Sequence, residues 1–86
     1  MVYIENSFQL WEDYTYYKNR FPNSYTTKDD LIKSIFASTQ ELYEEWGGGS
    51  FGLSVSDECE KRCYEFEIVE LNKDRVLVKY IGIASI

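Results

Sequence analysis

No histidine occurs among these 86 residues, which removes the side chain most used as a general base and the commonest neutral metal ligand. Ser–His and Cys–His catalysis within one chain is thereby excluded. Cysteine is nearly as scarce. Cys59 and Cys63 stand four apart in ECEKRC, which is not the Cys-x-x-Cys spacing of a redox pair and supplies too few ligands for a closed zinc site. They are expected as reduced thiols, one a small buried hydrophobe and the other in a loop. Basic residues are few as well: nine Lys and Arg face fifteen Asp and Glu, for a net charge of −6. They form no run that neutralises a phosphate backbone, so direct nucleic-acid binding is not expected. Long apolar runs are missing, so no segment reads as a membrane span. The opening MVYIENSFQLWEDYTYY also lacks the basic start and apolar stretch of a signal peptide. These absences imply a cytoplasmic protein with no enzymatic activity, no metal, no cofactor and no membrane partner.

What the chain does have is aromatic mass. Two Trp, eight Tyr and five Phe make up 17% of it. A chain of this length buries only about 60–65% of its unfolded surface, so large rings, each covering roughly 150–250 Å², must supply the core. With 44% hydrophobic and 28% charged residues, the composition is that of one folded domain over residues 1–86.

The clearest element is TTKDDLIKSIFASTQELYEEW, residues 26–46. Leu31, Ile32, Ile35, Phe36, Thr39, Leu42, Tyr43 and Trp46 recur at helical spacing, with polar residues between them. Thr26 or Thr27 caps its first amides, and Asp29 and Asp30 suit the positive end of the helix dipole. An earlier helix is expected from Ser7 to Arg20, capped by Asn6 or Ser7, with a stripe of Leu10, Trp11, Tyr14, Tyr17 and Phe21. The only proline, Pro22, ends it. VYI at 2–4 is compatible with a short edge strand, but three residues do not settle it.

After the glycines Gly47–Gly49 the period changes to two. SFGLSVS and CYEFEIVEL alternate apolar with polar residues, and RVLVKYIGIASI is apolar on both faces, as suits a central or doubly covered strand. A three-residue turn at Asn72–Asp74 sets Phe66 opposite Tyr80, Ile68 opposite Val78 and Glu67 opposite Lys79, which keeps one face apolar and pairs charges on the other. The expected fold is therefore α+β, with two N-terminal helices packed on a three-stranded antiparallel sheet, ααβββ. The triple glycine follows a helix C-terminus, where outward carbonyls and Glu44 and Glu45 repel an anion. It reads as a left-handed cap and chain reversal, not as a phosphate loop.

With no catalytic constellation present, function falls to the surface. The candidate binding residues are Tyr16 and Tyr25, which lie off the helical stripes, and the acidic groups Glu41, Glu44, Glu45, Asp57, Glu58, Glu60, Glu65 and Glu67. Tyr3 is a further candidate exposed ring, whereas Trp46 is expected in the core. A net-negative surface with exposed rings suits a protein partner that carries a basic surface. The reading is a small acidic inhibitor or immunity-type protein of the kind carried by phages and mobile elements, anti-CRISPR-like or a nucleic-acid mimic, acting on a nucleic-acid-processing partner. The alternative is a structural or regulatory domain that self-associates through its sheet, as a homodimer.

Overall fold

The two stripes fold as helices α1, Ser7–Arg20, and α2, Lys28–Trp46, in a computed structural model that describes residues 2–21, 27–56, 59–71 and 75–85. Four strands accompany them: β1 (Val2–Glu5), β2 (Ser50–Ser56), β3 (Cys59–Leu71) and β4 (Val76–Ser85). The class is α+β as expected, but the sheet has four strands instead of three, in the order β1-β4-β3-β2. The added strand is β1, which lies at an edge parallel to β4, with Val2 opposite Val76 and Glu5 opposite Lys79. Four residues are too few to display a strand period, and the pairing partner sits at the far end of the chain.

Local chemistry sets the helix ends. Thr27 caps α2, its Oγ1 accepting the Asp30 amide at 3.2 Å, while Asp29 and Asp30 occupy the first turn. At the other end Gly47 takes the left-handed conformation, φ 68° and ψ 18°, and the Leu42 carbonyl accepts the amides of Gly47 and Gly48. The Gly49 carbonyl then accepts the Ile68 amide at 2.9 Å, so the reversal leads directly into the sheet. α1 begins differently. Asn6 is left-handed, φ 66°, and makes no side-chain cap. Its Nδ2 donates instead to the Tyr80 carbonyl at 3.1 Å, fastening the start of α1 to β4.

Both helices lie on one face of the sheet, α1 over β4 and α2 over β2. Between them and the sheet are Leu10, Tyr14, Leu31, Ile35, Val55, Tyr64, Phe66, Val78 and Tyr80. Phe66 sits at the centre, its ring 5.1 Å from Phe51 and 5.4 Å from Tyr80. Tyr80 is fully buried, and its hydroxyl donates to Asp13 Oδ2 at 2.6 Å while Gln9 Nε2 donates to Asp13 Oδ1 at 3.0 Å. Burial foremost, and then the hydrogen bond and charge of Asp13, push the Tyr80 phenol well above the ordinary tyrosine range. Thr39, also buried, satisfies its hydroxyl on the Ile35 carbonyl at 2.7 Å.

The β3–β4 register pairs Phe66 with Tyr80, Glu67 with Lys79 and Ile68 with Val78, as the side-chain argument requires. It is reached by another route. Leu71 pairs with Val76, so four residues separate the paired ends, and Val69 is an extra residue between the Ile68 and Glu70 pairs that restores the register. The expected turn, Asn72–Asp74, lies outside the described residues. Ile81 is a second extra residue, between the Tyr80 and Gly82 pairs. Both bulge residues are apolar and exposed. A slip between Ser54 and Ser56 likewise turns Ser56, expected on the polar face, into a buried residue. β3 begins at Cys59, earlier than expected, and Cys63 is buried within it with no disulfide. Among the described residues no helix is long and apolar enough to cross a membrane.

Candidate interaction surface

α2 is longer than the strand it packs on. Nineteen residues rising about 1.5 Å each give a helix of about 28 Å. The seven residues of β2 span only about 23 Å. Leu31 and Ile35, early in the helix, are completely buried, whereas Trp46, in line with Leu42 by its spacing of four, is 76% exposed. The expectation that Trp46 belongs to the core is therefore corrected: the stripe continues, but its last residue stands in solvent. Phe36 and Tyr43, on the flank of the same stripe, are also exposed.

The same end of α2 carries three of the candidate acids. Glu41, Glu44 and Glu45 are all exposed, and their spacing of three and four places them on one side of the helix. The last turn holds no basic residue, so Glu44 and Glu45 sit at the negative end of the dipole. Gln40 Nε2 donates to Glu44 Oε1 at 2.8 Å, but among the described residues no cation comes within ion-pair distance of the three acids. Each such placement costs α2 about 0.3–1 kcal/mol.

Four cations, meanwhile, stand over aromatic faces. Arg20 lies over Tyr16 at 5.5 Å, Lys28 over Trp11 at 5.3 Å, Arg62 over Tyr17 at 5.9 Å and Arg75 over Tyr3 at 5.3 Å. Arg75 also reaches Glu70 at 3.9 Å. These four cations stand over rings, while Glu41, Glu44 and Glu45 have no ion pair among the described residues.

The remaining candidates occupy other elements. Tyr16 is exposed on α1 as expected, edge-on to Tyr17 at 5.0 Å and beneath Arg20. Tyr3 is exposed at the sheet edge. Glu65 and Glu67 point to the sheet face away from the helices: Glu65 is half-buried beside Gly52, and Glu67 stands opposite Lys79. Tyr25, Asp57 and Glu58 lie outside the described residues, as does the side chain of Glu60. Of the candidates among the described residues, then, Glu41, Glu44 and Glu45 share one side of α2, and the exposed rings Phe36, Tyr43 and Trp46, which the sequence reading assigns to the core, lie on the other side of the same helix.

A second surface escaped the sequence reading. The outer flank of α1 holds an open groove of about 380 Å³ lined by Phe8, Trp11, Glu12 and Thr15. Phe8 is 76% exposed, and Trp11 meets Tyr14 edge-on at 6.0 Å. The signal was available as the spacing i, i+3, i+4, i+7, which puts these four residues on one side of a helix. Periodicity places Trp11 on the buried stripe of α1 and gives Phe8 no part in it. No protein-family model, curated protein or solved structure matches this chain.

Proposed function

We propose that this chain is a non-catalytic binding protein whose α2 C-terminal end covers a basic surface on a nucleic-acid-processing partner, as an inhibitor or immunity-type protein. The observation that carries this reading is Trp46, exposed at a helix end whose carboxylates oppose the helix dipole. An exposed indole works against solubility and carboxylates at a helix C-terminus work against the helix, and both suit an interface. Trp46, Tyr43 and Phe36 supply apolar area that a partner can desolvate, and Glu41, Glu44 and Glu45 speed encounter with a positive surface. The test is a tagged pull-down from lysate of the source organism or its host, washed at low and high salt, with wild type beside Trp46→Ala and Glu41→Lys/Glu44→Lys/Glu45→Lys. The expected result is a basic nucleic-acid-processing protein retained by wild type, released by salt and lost with both variants. Equal retention by all three forms would remove α2 from the interface.

Self-association through the sheet is the second reading, and it also has an observation in its favour. β4 lies between β1 and β3, so its first residues are paired on both sides, but β1 reaches only as far as Lys79. Among the described residues, the remainder of β4 has ladder partners on the β3 side alone, next to the exposed Ile81. Light scattering at high concentration decides it: a monomer removes the reading, and a dimer that Ile81→Lys dissolves supports it.

A further inference from the structure

We propose that the free edge of β2 receives an extended segment of the basic partner as an added strand, and that Glu65 takes a cationic side chain of that segment. The inference rests on the reading of a basic partner but concerns a different surface from the end of α2. β2 is the last strand of the sheet, and among the described residues its ladder partner is β3 alone. Ser50, Gly52 and Ser54 are exposed, whereas Val55 and Ser56 are buried, so the open edge runs from Ser50 to Ser54. The Gly49 carbonyl accepts the Ile68 amide, which sets the alternation: Phe51 and Leu53 turn their amides and carbonyls to β3, and Ser50, Gly52 and Ser54 turn theirs to the edge. This stretch carries neither charge nor proline, the usual guards of an exposed edge.

The two faces of this edge select different side chains. Towards the helices stand Phe51 and Leu53, half-buried against the core, so apolar residues of an added strand extend that layer. On the opposite face Glu65 has Gly52 and Gly82 as its cross-strand neighbours, neither with a side chain. Its carboxylate leans over β2: a β-carbon on residue 52 would stand 3.3 Å from Glu65 Oε1. Glu65 is half-buried, and among the described residues no cation or hydrogen-bond donor reaches it. An added strand lies two strand spacings, about 10 Å, from β3, with only Gly52 between its outward side chain and this carboxylate. A lysine or arginine opposite Gly52 reaches Glu65 across the bare glycine. A second copy of this chain fits less well, because its β2 brings no cation and its net charge of −6 adds repulsion.

The probe is the peptide acetyl-Thr-Val-Arg-Val-Thr-amide, whose valines meet Phe51 and Leu53 when its arginine lies opposite Gly52. Backbone amide signals of nitrogen-15-labelled protein are followed by NMR during the titration. The expected result is a saturable shift concentrated at Ser50, Gly52 and Ser54, weakened about three- to tenfold when citrulline, the uncharged isostere, replaces arginine. Glu65→Gln should weaken the arginine peptide by a similar factor and leave the citrulline peptide unchanged. Methylation of the arginine amide nitrogen, which removes a ladder bond to Gly52 in antiparallel pairing, should abolish the shift. No shift along this edge, equal shifts with citrulline, indifference to Glu65→Gln, or binding that survives methylation overturns the proposal. Edge shifts that appear without peptide as the protein is concentrated place a second copy there and overturn it as well. Repeating the titration with Glu41→Gln/Glu44→Gln/Glu45→Gln keeps the two readings apart: a Gly52 response that persists belongs to β2, and one that vanishes returns the binding to α2 and ends the proposal. Failure at β2 leaves the pull-down on α2 variants unaffected.

Discussion

α1 and α2 are built from the same materials, an apolar stripe with large rings at its margins, yet they deploy them in opposite ways. α1 is tied down along its length: Asn6 bonds the Tyr80 carbonyl, Asp13 takes the Tyr80 hydroxyl, and Lys18 and Arg20 complement the negative end of its dipole. α2 is well made at its start, with the Thr27 cap and two aspartates, and poorly made at its end, where Glu44 and Glu45 replace the expected cations and Trp46 stands in water. The difference separates residues held for the fold from residues held against it. A helix end that works against its own stability is where function is best sought.

Truncation provides the strongest contrast between the two helices. Leu10→Ala opens a cavity between α1 and β4 and is expected to cost about 2–5 kcal/mol by urea denaturation. Trp46→Ala removes a larger side chain and is expected to change stability by no more than about 0.5 kcal/mol. Comparable losses from both would mean that Trp46 is packed.

The Tyr80–Asp13 bond comes next. Tyr80→Phe removes a buried hydrogen bond to a carboxylate and is expected to cost about 1.5–3 kcal/mol near neutral pH. It should also change the alkaline limb of the stability curve. The folded protein keeps the Tyr80 proton when the unfolded chain, with its ordinary tyrosine pKa of 10.0, gives it up, so stability falls as pH rises above that value. The fall should be shallower in Tyr80→Phe. An unchanged alkaline slope would show that Tyr80 takes no part in it.

Smaller again is the exchange of charge at the helix ends. Arg20→Glu places an acid in the last turn of α1, as α2 has naturally, and is expected to lower stability by about 0.3–1 kcal/mol, with the lost contact to Tyr16 adding to it. No loss would mean that the ends of α1 and α2 are electrostatically equivalent and that their contrast is one of exposure alone.

Much of the fold can be read before any coordinate. Both helices occupy the residues that periodicity marks, Thr27 and Gly47 cap α2 as their chemistry dictates, and Phe66 faces Tyr80 because opposing charges and an apolar face select that register. What stays hidden is non-local. β1 exists only because β4 offers it an edge, Asn6 forgoes capping because the Tyr80 carbonyl is within reach, and the bulges at Val69 and Ile81 carry no mark in composition. The interaction surface is hidden for a related reason. Periodicity tells which side of a helix is apolar, but whether that side is covered depends on elements distant in the chain, so Trp46, Tyr43 and Phe36 read as core. Glu41, Glu44 and Glu45 were legible because charge at the wrong end of a dipole is a property of the sequence itself.

The most direct test is the stability of Glu45→Lys by equilibrium urea unfolding. The substitution reverses one charge at the end of α2, places Lys four residues after Glu41, and leaves the Gln40–Glu44 bond intact. If the acids of α2 are held against the interest of the fold, the variant should be more stable than wild type by about 0.5–1.5 kcal/mol. A variant less stable than wild type would mean that Glu45 supports the fold, and the bare carboxylates would then no longer mark α2 as the binding surface.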